Sequence, residues 1–310
     1  MAGRRRTGAC GAGVLGLVLT CLARAAPAAT APPLVLPSDA VIAGEVQGIP
    51  VRLRVSPVGF AYPVLDPGLV ARLGLRAEGS GAARIGVVRL PGHVGRIAWK
   101  VDGVGSRTPA LWFSTALAVG VDAVIGPEAL PAGRVVFPLS TPKPGETAVA
   151  LPMAESADHA LGVALSLGGR TVFAQWDLDR PDNLASAAAA AQIASAYGGK
   201  LADQVSETPV TFGVLRPTRR MDLAKALPIG PLRVSQMQVR VADLGDAEAI
   251  ADRGVDAADI VVHPRRREGP PGYSLVIGRA ALAGCSALIF DRAAREVILV
   301  CMPVPASSGP

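Results

Sequence analysis

Three aspartates lie close together in the segment DLDRPDN, which follows an apolar stretch. Asp177, Asp179 and Asp182 could supply carboxylates for acid–base chemistry, or oxygen ligands for calcium. The glycine and the distal glutamate of a calcium-binding loop are absent, which favours a solvated turn or a helix cap. Asp177 stands where an apolar strand is expected to end, which makes it a candidate functional residue. A loop-capping role for Asp177 is the alternative.

A second candidate loop begins at Ser56. The segment VRLRVSPVGFAYPVLDPGLVARLGL predicts an alternating strand, a tight loop and a short helix. Asp66 and Pro67 have the residue types of a helix N-cap and a first helical residue. A serine hydroxyl with no base beside it in sequence cannot replace a carboxylate as a general base at ordinary pH.

Other catalytic and metal-binding patterns are not found in the sequence. His93, His159 and His263 are scattered and lack the spacing of metal ligands. The chain contains no Gly-x-Ser-x-Gly nucleophile elbow, no His-Glu-x-x-His pair and no P-loop. The sequence therefore predicts neither a metal site nor a cofactor.

Composition favours a β-rich protein without a nucleic-acid partner. The 310 residues are half apolar and include 35 Gly and 27 Pro, which favours many turns and short strands. The 31 Lys and Arg include Arg4, Arg5, Arg6 and Arg24, so 27 remain beyond residue 25, against 25 Asp and Glu. This near balance indicates no affinity for nucleic acid or an anionic membrane.

The first 25 residues have the pattern of an export signal. A basic start is followed by an apolar run, and Ala23-Arg24-Ala25 fits a signal-peptidase site. The run is too short to span a membrane, and no transmembrane segment is expected after cleavage. We therefore expect an exported protein, periplasmic or secreted. Thr20 argues against a lipid anchor on Cys21, because Gly or Ala normally precedes a lipidated cysteine.

Two cysteines lie beyond the signal, Cys285 and Cys301. The runs SALIF and EVILV between them predict a β-hairpin, and an oxidising compartment would allow a disulfide. A turn centred on Ala293 would place Cys285 opposite Cys301, and Ile289 opposite Val297. A two-residue turn would shift the register by one and separate the cysteines. Two buried free thiols are the alternative.

The chain shows signs of an internal duplication. VIGPEAL (Val124–Leu130) recurs as VIGRAAL (Val276–Leu282), with five of seven positions identical. GIPVRLRVS, which ends at Ser56, aligns with GRTVFAQWD, which ends at Asp177. The predicted organisation is a signal peptide and a linker, then two lobes joined by a linker, then a tail: residues 1–25, 26–40, 41–140, 141–160, 161–303 and 304–310.

YPVLDPGLVARLGL and DAVIGPEALPAGRVVF resemble two segments of the retropepsin-type aspartic peptidase family. The resemblance covers about residues 42–303 and implies a mainly β fold, with two tandem acid-protease β-barrel lobes and short helices. In that family a hydrophobic-Gly strand lies beside the catalytic Asp-Thr-Gly loop. The resemblance therefore implies that Ser56 and Asp177 stand at the two catalytic positions. The implied structural motif is Ile125, Gly126, Ile277 and Gly278.

The family mechanism uses two carboxylates that share one proton. Ser56-Pro57-Val58 and Asp177-Leu178-Asp179 depart from Asp-Thr-Gly, and Pro57 removes a backbone donor. We therefore expect a family member with a degenerate site, which binds a peptide, a protein segment or another extended ligand between the lobes without cleaving it. The expected ligand-binding residues are Ser56, Gly59, Asp177 and Asp179. The alternatives are an active aspartic endopeptidase that uses Asp177 with Asp179, and a structural envelope protein without a ligand.

Overall fold

The computed structural model describes residues 32–85, 88–156, 159–243, 251–252 and 272–303. The predicted signal peptide with Cys21, His263 and the predicted tail lie outside the described residues. Among the described residues, no helix is both long enough and apolar enough to cross a membrane.

Strands dominate the described chain, as expected from its composition, and two helices are short. The helices are α1 (Pro67–Leu73) and α2 (Ala187–Tyr197), and short 3-10 turns cover Pro127–Ala129, Thr211–Gly213 and Arg279–Leu282. The strands are β1 (Leu34–Val35), β2 (Val41–Val46), β3 (Ile49–Val55), β4 (Val64–Leu65), β5 (Gly79–Ile85), β6 (Val88–Val101), β7 (Val104–Phe113), β8 (Ala123–Ile125), β9 (Arg134–Pro138), β10 (Thr147–Glu155), β11 (Leu161–Leu167), β12 (Arg170–Asp177), β13 (Leu184–Ala185), β14 (Gly199–Pro209), β15 (Leu215–Ile229), β16 (Leu232–Arg240), β17 (Ala251–Asp252), β18 (Ser274–Gly278), β19 (Cys285–Asp291) and β20 (Glu296–Cys301).

The first half of the fold (residues 41–140) contains a closed barrel. Six strands pair in the order β2-β3-β8-β4-β7-β6, and β2 closes the ring by pairing with β6 as well as with β3. Alternation along β3 explains the closure: Val51, Leu53 and Val55 are buried in the core, whereas the arginines between them point outward.

The second half (residues 161–303) is described as part of a larger open sheet, and the expected second barrel is not a closed ring in the described pairings. Thirteen strands pair in the order β1-β9-β19-β20-β10-β11-β12-β18-β13-β16-β15-β14-β17. The difference lies at one strand edge. In the first half β2 uses both edges within the barrel, whereas in the second half β11 pairs with β12 on one edge and with β10 on the other.

Strand pairing around the two Ile-Gly segments repeats in the same order. β3 runs parallel to β8, and β12 runs parallel to β18. In register, Val55 lies opposite Ile125 and Trp176 lies opposite Ile277. On its other edge β8 pairs with β4, and β18 pairs with β13. Both of these pairings are antiparallel. Ser56 and Asp177 therefore hold equivalent places, one residue beyond Val55 and Trp176.

The two halves meet in an antiparallel seam formed by β9 and β19. Val136 lies opposite Ile289, Val135 opposite Phe290 and Phe137 opposite Leu288. The ring centroids of Phe137 and Phe290 lie 5.9 Å apart. Because each half contributes the matching strand in the opposite direction, the seam has the self-complementary pattern of a two-fold interface.

Both segments predicted as linkers contribute strands to this sheet. β1, in the predicted linker 26–40, pairs with β9, and β10, in the predicted linker 141–160, pairs with β20. These strands extend the seam on both sides, so the chain between the halves is part of the sheet.

Helix α1 begins at the predicted Asp66–Pro67 pair, and both helices have a side-chain cap at the start and a glycine at the end. The Asp66 carboxylate accepts a hydrogen bond from the Gly68 backbone N–H (2.7 Å), and Gly74 ends α1 with a φ of 59°. Ser186 caps α2 by accepting from the Ala189 N–H, and Gly198 ends that helix with a φ of 72°. A left-handed residue at a helix end is favourable for glycine, which has no Cβ.

The predicted terminal hairpin and its disulfide are confirmed. β19 and β20 are antiparallel, and Cys285 is bonded to Cys301. The predicted register within the hairpin is wrong by one residue, because Asp291 lies opposite Glu296 and Ile289 lies opposite Ile298. A β-bulge between Cys285 and Ala287 inserts one residue and brings the cysteines back opposite each other.

Candidate functional site

The first candidate loop turns tightly from β3 onto the Ile-Gly segment. The Ser56 N–H donates to the Ile125 carbonyl (2.9 Å), and the Gly59 N–H donates to the Ser56 carbonyl (2.8 Å). The Gly126 N–H in turn donates to the Phe60 carbonyl (3.0 Å). Ser56 is only 7% exposed. Backbone hydrogen bonds therefore fix the position of the serine within a buried turn.

Gly59 explains how this loop lies so close to the Ile-Gly segment. A Cβ atom at position 59 would lie 2.6 Å from both the Gly126 nitrogen and the Ile125 carbonyl oxygen. Such contacts are too short for any side chain, so only glycine allows this packing. Gly59, which the sequence suggested as a ligand contact, thus packs against the backbone of the Ile-Gly segment.

The second candidate loop is held by a different set of hydrogen bonds. The Asp177 carboxylate accepts from the Asp179 N–H (2.9 Å), which closes a turn of the kind that aspartate commonly caps. The Gly278 N–H donates to the Asn183 side-chain oxygen (3.0 Å), and the Arg279 N–H donates to the Arg180 carbonyl (2.8 Å). The Ile-Gly segment of the second half therefore also contacts its own loop.

Burial raises the pKa of the Asp177 carboxyl, because a carboxylate loses solvation in a partly buried site. The negative charge of Asp179 acts in the same direction. The Asp179 N–H and the Arg180 guanidinium oppose the rise. Asp177 thus holds a proton more firmly than an exposed aspartate does, while one of its oxygens caps its own loop.

The two loops approach each other through a pair of opposite charges. The Arg54 guanidinium of β3 forms an ion pair and hydrogen bond with the Asp179 carboxylate across the boundary between the halves. Their side chains are 28% and 53% exposed. A pocket beside this pair is lined by Ser56 and Pro57 from the first loop, by Asp39 from the segment before β2, and by Asp179 and Arg279 from the second half.

This geometry brings Ser56 and Asp179 to one pocket and turns Asp177 into its own loop. An acid-protease dyad needs two carboxylates about 3 Å apart that share one proton. Here the first loop offers a hydroxyl. Two carboxylates line the same pocket: Asp179 is paired with Arg54, and Asp39 accepts a hydrogen bond from the Val41 N–H (3.1 Å). The arrangement can donate hydrogen bonds to a bound ligand and accept them from it, but position 56 lacks the carboxylate that the first loop would contribute to the dyad.

Glu128 is a buried acid that the sequence interpretation did not single out. It follows Gly126 in VIGPEAL, at the place where the second copy has Ala280. Neither carboxylate oxygen accepts a hydrogen bond from another residue in the described chain. Burial raises the pKa of Glu128 to about 7, although its own backbone N–H and the Arg292 guanidinium lower it. In the sequence, the only signal that could have drawn attention to Glu128 is that the second copy of the motif has alanine at this position.

Arg292 anchors the segment that carries Glu128. Its guanidinium donates to the backbone carbonyls of Glu128 (2.8 Å), Leu130 (2.7 Å) and Ala132 (2.5 Å). These bonds tie the turn between β19 and β20 to the end of the first half. The hydrogen bonds of the Arg292 guanidinium therefore go to carbonyl oxygens. Its positive charge favours the ionised Glu128 carboxylate only through space.

Searches for related proteins leave the family unassigned. No protein-family model matches the chain, and no curated protein sequence is significantly similar to it. Among the described residues, no group of three or more His, Cys, Asp or Glu side chains could hold a metal ion. The site must therefore be interpreted from its own residues.

Proposed function

We propose that this protein is a non-catalytic, exported counterpart of the retropepsin-type aspartic peptidases, which binds an extended peptide between its two halves. The observation that carries the proposal is the pocket that Ser56 lines together with the Arg54–Asp179 ion pair. The two halves repeat the strand pairing around their loops, while the chemical groups of the loops differ.

The groups in this pocket support the proposed loss of catalysis. Asp179 is paired with a guanidinium, so it cannot share a proton with a second carboxylate in the way the peptidase dyad requires. Ser56 is held in a buried turn, and no described histidine or carboxylate forms a hydrogen bond with it that could make it a nucleophile.

Binding of an extended ligand is supported by the position and exposure of the loops. Each loop ends a strand from a different half, so a ligand that contacts both must cross the boundary between the halves. Arg54 and Asp179 are partly exposed and can exchange their mutual contact for contacts with a peptide backbone or a charged side chain. The disulfide supports export, since such bonds persist in oxidising compartments.

A peptide selection tests this function. Immobilised protein comprising residues 26–310 is presented with a phage-displayed library of random linear peptides, and recovered peptides are synthesised for affinity measurements. We expect Asp179→Ala to weaken their binding about tenfold or more, because a charged contact in the site is lost. Asp102→Asn is the control, since Asp102 is exposed in the β6–β7 turn with a φ of 48°, which asparagine tolerates.

Mass spectrometry of the recovered peptides after incubation separates binding from cleavage. Intact peptides with the expected loss of affinity support the proposal. Failure to recover any peptide, or equal affinity for all three proteins, refutes it. The raised pKa of Asp177 favours a second candidate, an aspartic endopeptidase, and cleavage that is abolished by Asp177→Asn would establish that function instead.

A further inference from the structure

A phenylalanine in a strained conformation is buried at the tip of the β14–β15 hairpin. Phe212 has a φ of 60° and a ψ of 23°, the left-handed region, which bulky residues rarely adopt. Its side chain is nevertheless only 6% exposed. The tip is closed by hydrogen bonds between Val210 and Val214 and between Gly213 and Val210. Strain of this kind persists only where the surroundings hold the residue in place.

The surroundings of Phe212 belong to the other half of the protein. Its ring packs against Phe113 of β7, with centroids 4.6 Å apart and planes inclined at 59°. Val64 and Ile85 complete a small buried cluster, separate from the main core, and Phe60 packs against it. The hairpin of the second half thus places one aromatic side chain in an apolar pocket of the first half.

The same hairpin contacts both candidate loops. Pro209, the last residue of β14, accepts a hydrogen bond from the Arg180 guanidinium (3.4 Å), and Arg180 belongs to the second loop. The cluster that contains Phe212 includes Phe60, which closes the first loop by accepting from Gly126. The tip therefore bridges the two loops between which the extended ligand is proposed to lie.

We propose that the pocket filled by Phe212 is a side-chain subsite for an aromatic residue of the extended ligand, and that Phe212 is its internal competitor. This inference rests on the proposed function and names the ligand class. The pocket is lined by apolar and aromatic groups, with Phe60, Val64, Phe113 and Leu117 contributing. Inclined aromatic rings at this separation attract each other beyond simple burial, which favours an aromatic occupant.

Competition inside one molecule predicts how affinity responds to mutation. While Phe212 fills the pocket, only the fraction of molecules with an open tip can bind a ligand side chain, so the apparent affinity falls by that fraction. Removing the phenyl ring removes the competitor. It also removes the group that holds the strained tip closed.

The test uses the segment Pro209–Leu215 of the chain itself as the probe. A fluorescently labelled PVTFGVL peptide with a blocked carboxyl end is titrated into wild-type protein, Phe212→Ala and Leu215→Ala. Leu215 lies on the same hairpin and is 57% exposed, so its variant is the matched control. We expect Phe212→Ala to bind the peptide about tenfold more tightly than the other two proteins do, or better. The peptide PVTAGVL should bind to none of them.

Phe212→Leu covers the case in which the alanine variant loses its fold, because leucine keeps the tip apolar and should give intermediate affinity. Equal peptide affinity for wild type, Phe212→Ala and Phe212→Leu refutes the subsite. Library peptides that bind the wild type while PVTFGVL binds no variant would refute the subsite and leave the proposed function intact. PVTFGVL binding to Phe212→Ala, with no library peptide for the wild type, would support the subsite and refute the proposed function.

Discussion

Replacing Glu128 by glutamine should remove a pH-dependent loss of stability. Burial raises the pKa of this carboxyl from 4.5 to about 7. Below about pH 4.5 the group is protonated in both the folded and the unfolded chain, so it has no effect on the free energy of unfolding. As the pH rises from about 4.5 to 7, the unfolded chain releases the proton while the folded chain retains it, and the folded state is progressively disfavoured.

The size of this effect follows from the pKa change. Each tenfold change in proton affinity is worth about 1.4 kcal/mol, so the full penalty above pH 7 is about 3 kcal/mol. Glutamine has nearly the same shape as the protonated acid and does not ionise. The stability of Glu128→Gln relative to the wild type should therefore increase by about 3 kcal/mol between pH 4.5 and 8.

Urea unfolding followed by tryptophan fluorescence measures this difference. Trp99, Trp112 and Trp176 are all buried, so unfolding changes their surroundings. Urea titrations of the fragment 26–310, repeated at several pH values from about 4.5 to 8.5, give the free energy of unfolding. The proteins compared are the wild type, Glu128→Gln and the control Glu45→Gln. The Glu45 side chain is 45% exposed and forms an ion pair with Lys100. Parallel pH profiles for wild type and Glu128→Gln would refute the reasoning.

Three further predictions address the disulfide, the loops and catalysis. Reduction by dithiothreitol, or the double substitution Cys285→Ser with Cys301→Ser, should lower the free energy of unfolding by about 3 kcal/mol, because the bridge closes a loop with a sequence separation of 16. Two reactive thiols in the unfolded, unreduced fragment 26–310 would contradict the bridge. Gly59→Ala should lower the free energy of unfolding by about 1–3 kcal/mol, because the added Cβ would meet the Gly126 backbone. The control Gly133→Ala, whose Cβ would meet nothing within 4 Å, should be nearly neutral, and similar urea midpoints for the two variants would exclude the close approach. At acidic pH the fragment should leave a peptide library uncleaved, and pepstatin-sensitive cleavage lost in Asp177→Asn would show an active site.

Local features of the fold could be predicted because their causes lie within a few residues. Asp66 with Pro67, and the glycines after each helix, predict helix ends through backbone geometry alone. The repeated Ile-Gly segments predicted equivalent strands beside equivalent loops, and the register places Val55 and Trp176 accordingly. Such features can be predicted because they depend on neighbours in sequence or on a second copy of the same sequence.

Features that depend on distant partners could not be predicted in the same way. The bulge before Ala287 has no residue type that marks it, and it lies on a strand that pairs with β9 on one edge and with β20 on the other. The Glu128 carbonyl is held by Arg292 of the β19–β20 turn, 164 residues later in the chain. The ion pair of Arg54 joins residues that are 125 positions apart. None of these partners is visible from local spacing.

The differences between the two copies bear more directly on function than their similarities do. The pairing of β9 with β19 around Val136 and Ile289, and the repeated strand pairing beside each loop, make the two loops structural equivalents although the sheets around them differ. Yet Ser56 stands where the other copy has Asp177, and Glu128 stands where the other copy has Ala280. A peptidase dyad needs the same carboxylate from both copies, whereas a binding site for an asymmetric peptide does not. Chemical asymmetry placed on a repeated framework is therefore what a ligand-binding role predicts.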